Sequence, residues 1–404
     1  MARPSFVIVG AGLCGGAAAQ TLREEGFDGR ITLVGEEPHL PYERPPLSKE
    51  YLRGEQEKHQ LFVHPEAWYS EQEVEARLGI RATAIDLTTK TVSLSDGDEL
   101  TYDSLLIATG GRPRRLDHEP SERVLYLRTI EDCDRLRKRI SRGKKLVVVG
   151  AGFIGAEVAA SARTIGAEVT MLEMLDVPLP KVLGEDLGKV YAAIHRDKGV
   201  DLRTGEGVES VEERHAGVVV RTTKGDAIEA DVVVVGVGIE PNVELAERAG
   251  LELTNGIAVD EFCRTSAEGV FAAGDVADHF HPVFRRRIRV EHFDNALKHG
   301  ANAARNMVGE EPYDDPHWFW SDQYEYNLQY GGFAYEWDDV IVRGSLDERD
   351  FAAFFLKDGV LLAALGLNRG REVRRAMKLI SARARPDPQK LRDDDVDLRT
   401  LLPK

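Results

Sequence analysis

The chain has 404 residues, a length that exceeds one ordinary core and predicts two or three domains. Its 53 basic and 69 acidic side chains give a formal net charge of -16, which argues against nucleic acid as a general partner. With 42% hydrophobic and 30% charged residues, the composition is that of a soluble globular protein. The longest apolar runs fall far short of the roughly 20 residues that a membrane helix needs, so no membrane partner is expected.

The cysteine content limits the kinds of redox and metal site that the chain can form. Only three cysteines are present, Cys14, Cys133 and Cys263, far apart in the sequence and with no C-x-x-C pair. This usage fits a reducing cytosol and excludes a local dithiol redox centre or a cysteine-based zinc site. The N-terminal stretch MARPSFVIVG lacks the basic start, apolar run and small-residue cleavage site of a signal peptide. We therefore expect a cytoplasmic protein with no metal site.

The first predicted elements surround a glycine-rich turn. The segment SFVIVGAGLCGGAAAQTLREEG is an apolar strand, a turn and an alanine-rich helix, with Gly10, Gly12 and Gly15 in the pattern G-x-G-x-x-G. The first glycine permits the tight turn, the second lets the backbone approach a pyrophosphate, and the third lets the helix pack on the strand. The next strand ends at Glu36, where a carboxylate can accept both ribose hydroxyls. These features predict a dinucleotide at the helix N-terminus.

The same unit recurs in KKLVVVGAGFIGAEVAASARTIGAEVTMLE, where Gly150, Gly152 and Gly155 are followed by Glu173. Two complete units of this kind in one chain predict two separate nucleotide sites. A carboxylate at Glu173 would repel a 2′-phosphate, and no arginine follows it closely in EMLDVPLPK. NADH is therefore favoured over NADPH at the second site.

Two further segments end apolar strands with short motifs. YDSLLIATGGRP runs into Ala108, Thr109 and Gly110, and TSAEGVFAAGDVAD ends its strand at Gly274 and Asp275, just before a predicted helix. Together with the two glycine turns, these segments resemble the two-dinucleotide-binding flavoproteins, whose fold is glutathione reductase-like. The resemblance implies that the first turn holds the FAD pyrophosphate, that Asp275 binds the ribityl chain, and that the second turn holds NADH.

The order of the motifs predicts an α/β fold with two Rossmann-like dinucleotide-binding domains and a C-terminal α+β domain. The FAD-binding domain would be discontinuous, formed by residues 1–112 and 241–315, with the NADH-binding domain, residues 113–240, inserted between ATGGRP and VGVGIEPN. From residue 316 onwards, short alternating runs separated by turns predict an antiparallel sheet, followed by a helical stretch. We assign residues 316–404 to the C-terminal domain.

The loop LPYERPPLSKEYL distinguishes the branches of this superfamily. Members that reduce disulfides carry a redox cysteine in this early region, whereas residues 30–132 of this chain contain none. A thiol relay is therefore disfavoured. The motifs PPLSK, FWSDQYE, YLRTIED, GAGFIGAEVAA, GIEPN and IVRGS instead resemble the ferredoxin reductases of bacterial oxygenase systems, of the putidaredoxin reductase and Rieske dioxygenase types. This resemblance runs from end to end of the chain.

The resemblance implies cofactor contacts position by position. The FAD contacts would be Gly10, Gly12, Leu13, Cys14, Gly15, Glu36, Arg44, Lys49, Ala82, Ala108, Thr109, Gly110, Arg128, Gly274, Asp275, Phe293 and Trp320. The NADH contacts would be Gly150, Gly152, Phe153, Ile154, Gly155, Glu157, Glu173 and Gly238. At position 293 the residue type differs from that of relatives, so a backbone contact is expected there.

Two of these residues are candidates for catalysis. Hydride transfer brings negative charge to the flavin, and a fixed cation in a dry site stabilises such charge, which makes Lys49 the candidate cation. Glu157 lies near the start of the helix after the second glycine turn and is expected to contact the nicotinamide carboxamide or to pair with Lys49. The structural alternatives are a solvated lysine and a carboxylate that only stabilises a helix N-terminus. Trp320 is either a wall of the flavin site or part of an aromatic core.

The resemblance also implies a partner. Electrons would pass from NADH through FAD to a [2Fe-2S] ferredoxin that feeds a haem-thiolate monooxygenase (cytochrome P-450) or a Rieske dioxygenase. A reductase of rubredoxin, monodehydroascorbate or a quinone is one alternative, and an NADH-sensing flavoprotein of the apoptosis-inducing-factor type is another. Monomer and homodimer both stay open.

Ferredoxins of this class are typically acidic, so docking would need a local basic patch despite the negative net charge. Three arginine clusters are candidates, and the last of them is favoured: Arg285, Arg286, Arg287 and Arg289; Arg112, Arg114 and Arg115; Arg369, Arg371, Arg374 and Arg375. A charge run of this kind is more often a solvated face.

Overall fold

The computed structural model describes residues 3–118 and 121–403, which form two compact units. The first unit is made of three segments, namely the chain up to Glu43, Leu61–Arg112 and Glu240–Phe319. The second unit is made of Arg44–Gln60, Pro113–Ile239 and the chain from Trp320 onwards. The short segment 44–60 thus groups with the second unit, although the residues on both sides of it belong to the first.

The elements are numbered in chain order. The strands are β1 (Ser5–Val9), β2 (Arg30–Gly35), β3 (Val74–Leu78), β4 (Ala82–Asp86), β5 (Thr91–Leu94), β6 (Glu99–Thr101), β7 (Ser104–Ile107), β8 (Gly111–Pro113), β9 (Val124–Tyr126), β10 (Lys145–Val149), β11 (Glu168–Glu173), β12 (Asp201–Thr204), β13 (Val208–Arg214), β14 (Gly217–Thr222), β15 (Ala227–Ala230), β16 (Val232–Val235), β17 (Ile239–Pro241), β18 (Ile257–Val259), β19 (Val270–Ala272), β20 (Ala277–His281), β21 (Arg286–Ile288), β22 (Trp318–Gln323), β23 (Tyr326–Gly332), β24 (Asp339–Ser345), β25 (Asp350–Lys357) and β26 (Val360–Leu367). The α-helices are α1 (Leu13–Glu24), α2 (Glu50–Arg53), α3 (Glu66–Glu71), α4 (Ile130–Arg137), α5 (Phe153–Ile165), α6 (Pro180–Asp197), α7 (Glu244–Arg248), α8 (Phe293–Val308), α9 (Gly370–Ser381) and α10 (Pro388–Arg392).

The first unit is built around a five-stranded parallel sheet in the order β3-β2-β1-β7-β19. Its central strand, β1, is buried along its whole length and is apolar after Ser5, because both faces of the sheet are covered. Phe6 and Ile8 pack in a core with α1 and α8, whereas Val7 and Val9 pack in a core with the small sheet β4-β5-β6. The strand order reverses between β1 and β7, and open α/β sheets bind ligands at such a reversal, beyond the carboxyl ends of the strands.

The second unit repeats this plan with a parallel sheet in the order β12-β11-β10-β16-β9, which reverses between β10 and β16. Valines of its central strands share a core with the antiparallel sheet β13-β14-β15. A further five-stranded sheet, β22-β23-β26-β25-β24, lies near the C-terminus, and α9 packs on it through Val373 and Ile380. The predicted α/β class, with two Rossmann-like sheets and a C-terminal sheet domain, is confirmed.

The helix expected directly after Asp275 is a wrong prediction. Residues Gly274–Val276 form a single 3-10 turn, strand β20 follows at once, and the next α-helix begins only at Phe293. Strand β20 is held in an extended conformation because it pairs with β18 on one side and β21 on the other. Among the described residues, no helix is both long and apolar enough to cross a membrane.

Candidate functional site

The first glycine turn joins β1 to α1 at the strand-order reversal. Gly10 has a φ of 121°, and a Cβ at this position would lie 2.1 Å from the carbonyl oxygen of Ala108, so a side chain is excluded. A Cβ at Gly12, by contrast, would meet no atom of the described residues within 4 Å. The backbone at the N-terminus of α1 is therefore open to a phosphate group, and this cradle fits the pyrophosphate of a dinucleotide.

The acidic residue predicted for the first site lies where the strand ends. Glu36 directly follows β2, and its side chain is 64% exposed, which leaves the carboxylate accessible to a ribose. It forms an ion pair with Arg81, a partner that the sequence did not reveal. The neighbouring Ala82 is buried at the start of β4.

The ATGG motif at the end of β7 is fixed by one asparagine. The Thr109 hydroxyl donates to the backbone oxygen of Asn242 at 2.8 Å, and the Asn242 amide donates to the Thr109 oxygen at 2.8 Å. The Asn242 N–H also donates to the oxygen of Gly110 at 3.0 Å. Asn242 belongs to the GIEPN motif, so its position in that motif was the signal for this role.

The turn at Gly274 lies beyond the carboxyl end of β19. Gly274 has a φ of 76°, and its N–H donates to Nδ1 of the buried His299 at 3.2 Å. The backbone oxygen of Asp275 accepts a hydrogen bond from Arg289 at 3.2 Å. Two residues that the sequence did not associate with this site therefore hold the turn. Phe293 is the first residue of α8, with a half-buried side chain.

The three cysteines of the chain are all buried and unpaired. Burial raises the pKa of Cys133 to about 12, and it raises the pKa of Cys14 and Cys263 well above the usual value. Since the thiolate is the nucleophile in disulfide exchange, none of these thiols is suited to that chemistry.

The second glycine turn repeats the geometry of the first between β10 and α5. Gly150 has a φ of 97°, and a Cβ there would lie 2.4 Å from the carbonyl oxygen of Gly236, whereas at Gly152 that oxygen is 3.9 Å away. The N–H of Ala151 donates to Oε2 of Glu173 at 2.9 Å. The carboxylate at the end of β11 is thus attached to the turn and lies where a nucleotide ribose would be recognised.

Apolar side chains remain exposed around this second turn. Ile154 is 47% exposed, Met174 74% and Val237 38%. Ile154 is the second residue of α5, Met174 directly follows β11, and Val237 lies two residues after β16. An exposed apolar surface beside a phosphate cradle suits the flat rings of a dinucleotide. Met174 and Val237 were not predicted, although their positions just after β11 and β16 were the available signal. Gly238, with a φ of 94°, completes this edge.

The two catalytic candidates meet in the second unit. Nζ of Lys49 lies 2.9 Å from Oε2 of Glu157, and the side chains are only 6% and 4% exposed. Oε2 also accepts from the Ser48 hydroxyl at 2.5 Å, and Oε1 accepts from the Ser321 hydroxyl at 2.7 Å. A buried lysine with a carboxylate partner does not have the geometry of a solvated surface lysine.

The loop that carries Lys49 is attached to helices of its own unit. The Ser161 hydroxyl, from α5, donates to the backbone oxygen of Ser48 at 2.6 Å. The Tyr51 hydroxyl donates to Asp134 of α4 at 2.7 Å. With the 3-10 turn Pro45–Ser48 before it, the lysine is fixed by packing and hydrogen bonds rather than by the prolines alone.

Three other predicted flavin residues also lie in this unit. Nη1 of Arg44 donates to the backbone oxygen of Arg128 at 2.5 Å, and the Arg128 N–H donates to Asp132 at 3.0 Å. Trp320 is half-buried in β22 and directly precedes Ser321, the residue that donates to Glu157. The structure therefore brings together, within the second unit, the loop from Arg44 onwards, the YLRTIED motif and the part of the FWSDQYE motif that begins at Trp320.

The predicted docking clusters are partly neutralised within the protein. Arg112 pairs with Glu244 at 2.6 Å, and Arg369 pairs with Asp394 at 2.7 Å. Such pairs reduce the positive charge that each cluster offers to a partner. Arg371, in the first turn of α9, is exposed and keeps the C-terminal cluster basic at the surface.

Comparison with known proteins finds matches over almost the whole chain. A family model described as pyridine nucleotide-disulphide oxidoreductase matches residues 4–300, and one described as reductase C-terminal matches residues 318–402. The chain is 40% identical to the ferredoxin--NAD(+) reductase component of the anthranilate 1,2-dioxygenase system of Burkholderia cepacia, over 100% of both chains. It is 37% identical to putidaredoxin reductase of Pseudomonas putida, over 99% of this chain and 97% of the relative. The crystal structure of the covalent putidaredoxin reductase–putidaredoxin complex gives a TM-score of 0.96 at 38% identity, over 99% of this chain and 98% of that chain.

Proposed function

Because the chain belongs to the pyridine nucleotide-disulphide oxidoreductase family, among the ferredoxin reductases of bacterial oxygenase systems, we propose that it carries electrons from NADH through FAD to a [2Fe-2S] ferredoxin. The ferredoxin in turn feeds an oxygenase, either a cytochrome P-450 monooxygenase or a Rieske dioxygenase. The observation that carries the proposal is the buried Lys49–Glu157 pair, in a chain whose three cysteines are all buried and unpaired. Electrons leave for an external acceptor and not for a thiol of the protein.

We assign the two nucleotides to the two glycine turns. FAD belongs to residues 1–112 and 241–315 and NADH to residues 113–240, while residues 316–404 form the C-terminal domain. The open backbone at Gly12 and Gly152 supports one pyrophosphate at each turn. The residues that the resemblance in the sequence implies as FAD and NADH contacts keep those roles in the proposal.

The protein's part in the reaction is to bind, orient and provide charge. FAD, when bound, accepts a hydride from NADH and passes the electrons on one at a time. Lys49 supplies a positive charge in a dry environment, where it acts much more strongly than in water. Glu157 balances that charge and holds the ammonium group in place. Glu173 selects a cofactor without a 2′-phosphate, and Trp320 forms a wall of the flavin site.

We place the protein in the cytoplasm. Its cysteines are unpaired, which fits a compartment that keeps thiols reduced, and the cytoplasm supplies NADH.

Acceptor assays under anaerobic conditions test the proposed function. The FAD-loaded protein is mixed with NADH and with a [2Fe-2S] ferredoxin, a rubredoxin or a quinone, and reduction of each acceptor is followed by its visible absorbance. We expect the ferredoxin to be reduced with the highest kcat/KM. Faster reduction of rubredoxin or quinone would overturn the assignment of the acceptor. Slow turnover with a long-lived charge-transfer complex would instead indicate an NADH-sensing protein.

A further inference from the structure

A line of polar side chains leads away from Glu157 through the interior of the second unit. Ser321 donates from its hydroxyl to Oε1 of Glu157 at 2.7 Å, and the Gln323 amide nitrogen donates to the Ser321 oxygen at 3.0 Å. Oε1 of Gln323 lies 2.8 Å from Nε2 of His195. Nδ1 of His195 lies 3.3 Å from the hydroxyl of Tyr324. The line thus links α5, β22 and α6.

Each of these groups has a fixed number of hydrogen-bond donors and acceptors, and together these numbers make every hydrogen bond in the line point towards Glu157. The single hydroxyl proton of Ser321 goes to Glu157, so its oxygen is the acceptor for the Gln323 amide. The amide oxygen then accepts from Nε2 of His195, which must carry a proton. In a neutral imidazole Nδ1 is left as an acceptor, and the Tyr324 hydroxyl donates to it. Burial lowers the pKa of His195 to about 4, so the neutral form is present at neutral pH.

The Gln323 amide has its other donor occupied as well. Its nitrogen also donates to the hydroxyl of Tyr191, a buried residue of α6. If the amide turned over, its oxygen would face the two hydroxyls and its nitrogen would face the N–H of His195. The Ser321 proton would then have a second acceptor besides Glu157. With Nε2 of His195 as the N–H donor, the amide takes the orientation that leaves this proton for Glu157.

Most of the side chains in this line of hydrogen bonds are buried away from solvent. Ser321, Gln323 and His195 are 1%, 5% and 0% exposed. Tyr324 is half-buried, and Nζ of Lys198 lies 5.5 Å from the centre of its ring. Hydrogen bonds that point in one direction through a low-dielectric interior reinforce each other, so a change at His195 is transmitted to the carboxylate.

We propose that Ser321, Gln323 and His195 are positioning residues that hold the Glu157 carboxylate in the orientation that pairs with Lys49. This inference rests on the proposed function, in which that pair acts at the flavin. If the line is broken at His195, Glu157 gains a second orientation, and the charge of Lys49 is balanced for only part of the time. A less balanced cation favours the more negative, reduced state of a nearby flavin. Breaking the line is therefore expected to raise the flavin midpoint potential, in the opposite direction to the loss of Lys49 itself.

His195→Leu and His195→Gln separate positioning from packing. Leucine removes the donor to Gln323, whereas the glutamine side chain can place an N–H where Nε2 lies. His215→Leu, at an exposed histidine of the same unit, is the matched control. Measurements are the FAD content, the flavin midpoint potential by spectroelectrochemical titration, and the limiting rate and apparent affinity of NADH reduction by stopped flow.

We expect His195→Leu to raise the midpoint potential, because the Lys49 charge is less balanced. The limiting rate should fall about tenfold, the effect of one hydrogen bond, because Glu157 no longer holds the ammonium group in place, while the apparent affinity for NADH stays unchanged. His195→Gln is expected to keep the midpoint potential and the limiting rate close to their wild-type values. In the Glu157→Ala background, His195→Leu has no further effect, because residues that act through one another are not additive. Ser321→Ala, a smaller change, repeats the effect of His195→Leu should the latter lose FAD.

A midpoint potential and limiting rate at wild-type values in His195→Leu or Ser321→Ala would overturn the inference. So would equal effects with and without Glu157, since they would indicate a general loss of packing. Neither result bears on the proposed function, which is tested separately by the acceptor assays on the wild-type protein.

Discussion

Lys49 and Glu157 form an ion pair of 2.9 Å that is almost completely buried, although the two residues come from distant parts of the sequence. Two charges taken out of water lose solvation, and their attraction offsets that loss only if further hydrogen bonds complete the site. Ser48 and Ser321 supply those bonds, one to each oxygen of the carboxylate. Removing either charged partner leaves an uncompensated buried charge, which typically costs about 3–5 kcal/mol. The stability of the protein therefore depends on this pair.

Replacement of Lys49 by methionine tests the cation. Methionine keeps much of the side-chain volume but removes the charge, so we expect a lower flavin midpoint potential and hydride transfer that is about 100-fold slower, as when one preorganised donor is lost. The FAD content should stay unchanged. Lys58→Met, at an exposed lysine nearby, is the control. Wild-type values of both quantities in Lys49→Met would show that this loop has no role at the flavin.

Replacement of Glu157 by alanine tests the carboxylate. We expect slower hydride transfer at an unchanged ratio of flavin to protein, because Lys49 loses the partner that holds its ammonium group in place. Stopped-flow reduction by NADH measures the rate, and the visible absorbance gives the flavin content. Glu168→Ala, at an exposed carboxylate of β11, serves as the control. An unchanged rate would leave Glu157 with a structural role only.

Glu173 is expected to set the preference for NADH. Its Oε2 accepts the N–H of Ala151, so glutamine is the informative substitution: it keeps an acceptor for the turn and removes the charge. Glu173→Gln should lower the ratio of kcat/KM for NADH to that for NADPH about tenfold, which corresponds to about 1.4 kcal/mol of discrimination. Steady-state kinetics with both cofactors measures it, and an unchanged ratio would assign Glu173 to the turn alone.

The rates of ferredoxin reduction and of flavin reduction should depend differently on the salt concentration. Attraction between a basic patch and an acidic partner is screened beyond about 10 Å at 0.1 M salt, whereas NADH reduction of the flavin is not steered by that patch. We expect high salt to slow electron transfer to ferredoxin much more than flavin reduction. Arg371→Glu should slow the same step at low salt, while Arg221→Glu, at another exposed arginine, should not. Equal salt sensitivity of both steps would contradict docking by charge.

Acid should destabilise the protein through its buried histidines. Burial lowers the pKa of His195 and His292 to about 4 and that of His299 to about 3, from 6.5. Between pH 6.5 and these values the unfolded chain binds protons that the folded chain does not. These histidines therefore do not reduce the free energy of unfolding above pH 6.5, and they reduce it progressively as the pH is lowered. Each histidine contributes about 1.4 kcal/mol per pH unit in that window.

Urea unfolding of the FAD-loaded protein at pH 7, 6 and 5 measures this slope. His299→Gln should make it shallower, because glutamine does not titrate and still offers an acceptor to the Gly274 N–H. His215→Gln, at an exposed position, should leave the slope unchanged. A slope in His299→Gln equal to that of the wild type would contradict this account.

The positions of the two glycine turns followed from the sequence alone. A strand, a turn with Gly10 or Gly150, a helix and a second strand ending at an acid are contiguous in the chain, and the backbone constraint at each glycine is local. The apolar runs likewise predict buried parallel strands, since both faces of such strands are covered. The absence of cysteine from residues 30–132 was equally visible in the sequence and already disfavoured a thiol relay.

Only the tertiary structure decided which polar groups meet. His299 as the acceptor for Gly274, Asn242 as the clamp on Thr109, and the line from Glu157 to His195 join side chains from separate elements. The strand that replaces the expected helix after Asp275 depends on pairing with β18 and β21. Local patterns encode which residues are buried and how the backbone turns. Partners across elements are set by packing, which brings distant side chains together and removes the water that would otherwise satisfy them.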